Sequence, residues 1–274
     1  MTSEKNFRMT LEYDGTRYAG WQRQKCESTI QAEIEHVLSL VTRQSVTVAG
    51  SGRTDAGVHA LGQVASFRCR TRLSPESLQR AMNSLLPEDI VVRDCCEADD
   101  DFHARFAAVS KTYHYFLRNH PVPSAIERNH CWHIQKPLDM AAMRQAIGCL
   151  VGTFDFSAFE GAGSPRAHSI RTLYRAHIED HGDGRWAIIV EGNGFLRHMV
   201  RNIVGTLVRI GMGKMPADQM LRILASADRR QAGATAPARG LFLMEVRYSD
   251  FIRDVNTPVP LEAVHHTIPK TDCC

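Results

Sequence analysis

The chain has 274 residues, 43% hydrophobic and 23% charged with a formal net charge of +3, enough for one large domain or two ordinary ones around a sizeable core. No apolar run is long enough to cross a membrane, and Met1 to Arg8 lacks the apolar stretch of a signal peptide, so the expected location is the cytoplasm. The eight cysteines contain no C-x-x-C pair, which argues against a disulfide framework and a zinc ribbon.

Phe7 to Tyr13 alternates as a strand and runs into the turn Asp14-Gly15. Ser28 reads as an N-cap, with Ile30, Ile34, Val37, Leu38 and Val41 following at helical spacing. Val46 to Gly50 and Gly62 to Arg70 read as strands. Ser74-Pro75-Glu76 opens a second helix, because Ser caps and Pro suits the first turn. Ile90 to Asp94 is a strand, Arg105 to Arg118 a long one, and Leu138 to Leu150 a helix. Thr172 to Glu179 and Arg185 to Gly192 form a hairpin around His181-Gly182-Asp183-Gly184. Leu196 to Ile210 and Pro216 to Ala225 are helices, and Leu241 to Tyr248 closes the series as a strand. Helices alternating with strands, interrupted by a clear hairpin, predict an α+β fold of two similar halves with mostly antiparallel sheets flanked by helices. The division expected is 1–104 for the N-terminal half, 105–250 for the C-terminal half, and 251–274 for a loose, proline-bearing tail.

The densest chemistry lies in Gly50-Ser-Gly-Arg-Thr-Asp-Ala-Gly-Val-His59. Three glycines in eight residues, with Arg53 and Asp55 among them, make a loop rather than a helix or strand. Charged loops on a β scaffold are where chemistry tends to be held. An Asx turn, in which Asp55 bonds its own backbone, fits the same residues. His130 and His133 could chelate, but Trp132 between them favours packing, and no metal is expected. From Phe195 to Arg247 nine Lys or Arg stand against three Asp or Glu, which suits either a polyanion on one face or a solvated surface.

Gly52-Arg-Thr-Asp-Ala-Gly-Val-His-Ala60, followed by Gly62-Gln63-Val64, resembles the catalytic segment of the TruA family of tRNA pseudouridine synthases. Four other blocks follow the family in order. They are Tyr13-Asp-Gly-Thr-Arg-Tyr-Ala-Gly-Trp-Gln22, Asp101-Phe-His-Ala-Arg-Phe-Ala107 with Lys111-Thr-Tyr-His-Tyr115, Phe195-Leu-Arg-His-Met-Val-Arg-Asn-Ile-Val-Gly205, and Gly240-Leu-Phe-Leu243. The resemblance spans Phe7 to Tyr248 and implies the pseudouridine synthase fold, with the active-site cleft between its halves. It also implies an isomerase that converts uridines at positions 38, 39 and 40 of the tRNA anticodon stem-loop, without metal or nucleotide cofactor. A homodimer holding tRNA across both subunits belongs to the same implication. A synthase of the same family with other RNA targets, and a non-catalytic RNA-binding protein on the same scaffold, are the rival readings.

The resemblance makes Asp55 the catalytic carboxylate, Arg201 its cation and Tyr113 the residue packed against the target base. It makes Arg53 the residue that displaces that base from its stack, and Phe102 to Phe106 an RNA-contact segment. Read as a strand, that segment turns Phe102, Ala104 and Phe106 one way and His103 and Arg105 the other. Arg197 and Arg201 would share one helix face, with Gly205 leaving room for a backbone or a ligand. A solvated basic helix fits those arginines equally well. Lys111, Tyr113 and Tyr115 share a strand face that suits stacking and phosphate contact, or a half-buried amphipathic strand. Glu160 to Ala167 corresponds to a variable loop of the family, so its sequence gives no check on target choice.

Overall fold

The structure is a computed structural model and describes residues 3–163 and 168–249. The tail expected at 251–274 and the stretch 164–167 of the variable loop lie outside the described residues.

In chain order the strands are β1 (Lys5–Tyr13), β2 (Val48–Gly50), β3 (His59–Cys69), β4 (Ile90–Ala98), β5 (Ala108–Asn119), β6 (Trp132–Ile134), β7 (Gly152–Asp155), β8 (Ile170–Asp180), β9 (Arg185–Gly192) and β10 (Leu241–Tyr248). The helices are α1 (Ile30–Thr42), α2 (Pro75–Asn83), α3 (Met140–Gly148), α4 (Met199–Gly211) and α5 (Gln219–Ser226). One sheet runs β4-β1-β3-β10-β5-β9-β8-β7, with β2 beside β3 and β6 beside β5. Its pairings are antiparallel except β3 with β10 and β5 with β6. This is the α+β architecture that the alternation of elements predicts. The last strand, β10, sits in the middle. It meets β3 through Phe242 and Leu243 opposite His59 and Ala60, and lies antiparallel to β5 on its other side.

The period-two pattern of β1 buries Phe7, Met9, Leu11 and Tyr13. Each such side chain stabilises the fold by roughly 1.5–3 kcal/mol relative to exposure. In α1, Ile30, Ile34, Val37 and Leu38 are buried, and in α4 Met199, Ile203 and Leu207 are. Ser74 caps α2 as predicted, its side chain accepting from the Ser77 N–H. At α1 the cap is Thr29 rather than Ser28: Thr29 accepts from the Ala32 N–H, while Ser28 donates to Glu33.

Two elements differ from expectation where the site is built. The strand expected from Arg105 begins at Ala108, because the chain turns first: the Phe106 and Ala107 N–H groups both donate to the His103 carbonyl. The helix expected from Leu196 begins at Met199. His198 caps it in the left-handed region at φ 59°, so Arg197 precedes the helix and does not share a helical face with Arg201.

Candidate active site

The loop 51–58 between β2 and β3 is clamped from below by the first sequence block. The Tyr13 hydroxyl lies 2.8 Å from Thr54 Oγ1. The Trp21 N–H donates to the Thr54 carbonyl at 3.0 Å, and the Gly57 N–H to the Tyr18 carbonyl at 3.3 Å. Gly20 has φ +96°, and a Cβ there would stand 2.6 Å from the Thr54 carbonyl oxygen, so that crossing needs glycine. From β3, Gln63 accepts from Ser51 Oγ at 2.7 Å and donates to the Gly52 carbonyl at 2.9 Å. Two blocks far apart in sequence thus make one rigid seat.

That seat presents Asp55. Its carboxylate Oδ2 accepts from Arg201 Nη1 at 2.8 Å. The two side chains are 26% and 15% exposed, so the pair is partly withdrawn from water. Arg201 rises from the first turn of α4, and its Nε donates to the Ala236 carbonyl at 2.8 Å. The Ala236 N–H donates back to the Arg201 carbonyl at 3.1 Å. Gly205, one turn further on, is where the 233–236 strap crosses: a Cβ there would meet the Ala234 oxygen at 1.7 Å.

Tyr113, on β5, is 7% exposed, and its ring meets Phe195 edge-on at 5.0 Å and 78°. Burial pushes its phenol pKa up, and Tyr13 and Asp55 push it the same way. The hydroxyl therefore stays protonated beside the carboxylate. Sequence reasoning did not single out His198, whose Nε2 lies 3.5 Å from Asp55 Oδ2. Burial lowers its pKa below the usual histidine value, Asp55 opposes this, and Arg201, Arg197 and Arg229 reinforce it. The imidazole is thus neutral near pH 7. The signal lay inside the Phe195–Gly205 block but was masked by its helical spacing.

Arg53 is exposed on the loop. Arg197 is exposed and donates to the Ala162 carbonyl at 2.7 Å. The segment 102–106 splits differently from the strand reading. Phe102 packs on Tyr248 at 5.1 Å, and Ala104 donates to Ser66 Oγ and accepts from the Tyr248 hydroxyl. Both are buried and anchor the turn. Phe106 does not follow them inward: it is 76% exposed, with His103 4.4 Å from its ring and the Arg105 guanidinium 5.6 Å over it. The outward group is therefore His103, Arg105 and Phe106.

Asp14, His59 and His130 bring three possible metal-ligand atoms within 4.8 Å of one another. His59 Nδ1 already accepts the Gly15 N–H at 3.1 Å, and Nε2 faces the Asn129 carbonyl at 3.0 Å. His130 Nε2 lies 2.8 Å from Asp14. Both ring nitrogens of His59 are engaged, so the trio acts as a hydrogen-bonded clamp under the loop. His133, expected to pack, bonds the His120 carbonyl at 2.7 Å.

An aspartate held by an arginine, under a buried tyrosine and beside exposed basic and aromatic groups, suits covalent or proton-transfer chemistry on a nucleotide lifted from an RNA strand. The chain matches the family described as tRNA pseudouridine synthase over residues 9–107 and 146–249. It is 46% identical over 244 residues to tRNA pseudouridine synthase A of Thermoanaerobacter sp. (strain X514), covering 89% of this chain and all of that one. The synthase A of Acetivibrio thermocellus is 43% identical with the same coverage. That of Geobacillus sp. (strain WCH70) is 43% identical over 90% of this chain and 99% of its own. A solved Cbf5-Nop10-Gar1 complex aligns at a TM-score of 0.34 and 10% identity, over 74% of this chain and 45% of that one. The chain belongs to the tRNA pseudouridine synthase family.

Proposed function

We propose that this enzyme isomerises uridine to pseudouridine in the anticodon stem-loop of tRNA, at positions 38, 39 and 40, with Asp55 as the catalytic carboxylate. The reaction breaks N1–C1′ and makes C5–C1′. C5 loses a proton and N1 gains one, so no atom or electron is exchanged with another reactant. An ionised carboxylate begins it, either by attacking C1′ or by taking the C2′ proton. The observation that carries this reading is the 2.8 Å contact from Arg201 to Asp55, which sets the carboxylate beside a cation on a fixed loop. Tyr113 packs against the turned base and supplies a protonated hydroxyl, and Arg53 displaces the base from its stack. His103, Arg105, Phe106 and Arg197 face the strand, with Phe102 and Ala104 shaping that surface from behind.

We read 1–104 and 105–250 as the two halves around the cleft, joined through β10. In this reading the enzyme works as a homodimer in the cytoplasm, where its substrate is. Among the described residues no helix is long and apolar enough to cross a membrane. The test is Asp55→Asn with an unmodified tRNA transcript. Pseudouridine mapping should show no product, while tRNA affinity, which rests on phosphate contacts, is largely kept. Appreciable turnover by that variant rejects the assignment.

A further inference from the structure

Lys111 stands two residues before Tyr113 on β5 and so points from the same face of the strand. It is only 9% exposed, a degree of burial that lysine rarely reaches without a partner. Among the described residues its ammonium has neither a hydrogen bond nor an ion pair. The charge acting on it is another cation: burial lowers its pKa, and Arg105 lowers it further. Its stem runs along the catalytic loop, since a Cβ built on Gly52 would stand 3.5 Å from Lys111 Cε.

An ammonium largely withdrawn from water, with a cation for a neighbour, is half of an ion pair. The fold keeps it in place through β5, which is paired along its length with β9 and β10. Among the described residues nothing supplies the missing half. The surroundings say what it is. The side chain runs beside Gly52 in the loop that carries Asp55, and Arg105, in the turn that presents Phe106, acts on its charge. Whatever reaches it lies alongside the reacting nucleotide and is an anion. No carboxylate among the described residues fills the place.

We propose that Lys111 is the receptor for a backbone phosphodiester of the RNA strand next to the target uridine. This rests on the reading of the site as one that acts on RNA. Lysine suits the position better than arginine. Its compact point charge suits a side chain laid against Gly52, whereas a planar fork needs width and two acceptors. The buried, uncompensated charge is tolerated in the free enzyme and neutralised on binding, so affinity is gained at the expense of fold stability.

The experiment measures affinity of the full chain for an unmodified tRNA transcript across a range of KCl, comparing wild type with Lys111→Met, Lys111→Gln and Lys111→Arg. Lys111→Met should bind about tenfold more weakly at low salt, with the log–log salt slope reduced by about one. Lys111→Arg should keep the slope. The Tm of Lys111→Met should be unchanged or higher, because an unpaired buried cation has gone. An unchanged slope in a folded Lys111→Met or Lys111→Gln overturns the proposal. So does a Tm loss in both variants with wild-type affinity. A second arm uses stem-loops with single neutral methylphosphonates flanking the target uridine. At the phosphate Lys111 holds, neutralisation and Lys111→Met should not add; additive effects at every position overturn the proposal. Wild-type pseudouridine formation is measured alongside. An inactive wild type that still shows the slope difference refutes the functional reading alone, and an active wild type without it refutes the phosphate contact alone.

Discussion

Arg201 divides its guanidinium between two partners, and this division sets what another residue could replace. Nη1 holds Asp55 and Nε holds the Ala236 carbonyl. Methionine at 201 would leave a partly buried carboxylate without its cation, and breaking such a pair typically costs a few kcal/mol. The single-turnover rate of Arg201→Met at saturating tRNA should therefore fall about 100-fold or more. Arg201→Lys keeps the charge, but one ammonium cannot span both acceptors, so its rate should lie between the two. An arginine that merely touched phosphate would weaken binding and leave the saturated rate near normal, which is the result that rejects the pairing. The Asp55–Arg201 contact was legible in the sequence because two ordered blocks carried it. His198 was not, since a histidine among helically spaced apolar residues gives no sign that its backbone turns left-handed and starts the helix there.

At the scale of elements, the strands with clean alternation were legible, and β10 from Leu241 to Tyr248 matches its expected bounds. The turn at 102–107 was not, because Phe102, Ala104 and Phe106 keep a period of two through a segment that is not a strand. The Phe106 and Ala107 N–H groups close locally on the His103 carbonyl, a choice that spacing cannot report. Gly205 leaves room for a backbone or a ligand, and the structure fills it with the 233–236 strap. The Gly233 N–H donates to Thr206 Oγ1, and Ala236 ties to Arg201, so α4 and the strap form a single support for Arg201. A methyl group on Gly205 meets the Ala234 oxygen, which cannot move without breaking that support. Gly205→Ala should cost about 1–3 kcal/mol in urea denaturation. It should also lower the saturated rate under conditions where the variant is fully folded, because Arg201 loses its anchor. A variant that is destabilised but fully active would show that the strap holds the fold and not the site.

For the whole molecule, the sheet places its least hydrated titratable groups along its central strands, and this sets how the fold responds to acid. His114 on β5 is the clearest case. Burial drives its pKa down to about 4, against Glu179, which raises it, and with His181, His177 and Arg175, which lower it further. Its Nδ1 is buried without a hydrogen-bond partner, as suits a neutral ring. In the unfolded chain the same histidine titrates at its ordinary value near 6.5. Between 6.5 and about 4 the unfolded state takes up a proton that the folded state refuses. The neutral ring therefore costs nothing above 6.5, and stability falls as the pH drops through that window, by at most about 3 kcal/mol for this one group. His59 and His198, also lowered by burial, act with the same sign. Asp14 adds a later loss: burial opposes ionisation, but hydrogen bonds from Thr16 hold its pKa at about 2, so its contribution fades only below the ordinary carboxylate range. Replacing His114 with Gln removes the first of these protons. Urea midpoints measured from pH 7.5 to 4.5 should fall for wild type and fall distinctly less for His114→Gln, with the curves converging towards acid. Parallel curves over that range would mean that His114 is not a source of the acid sensitivity.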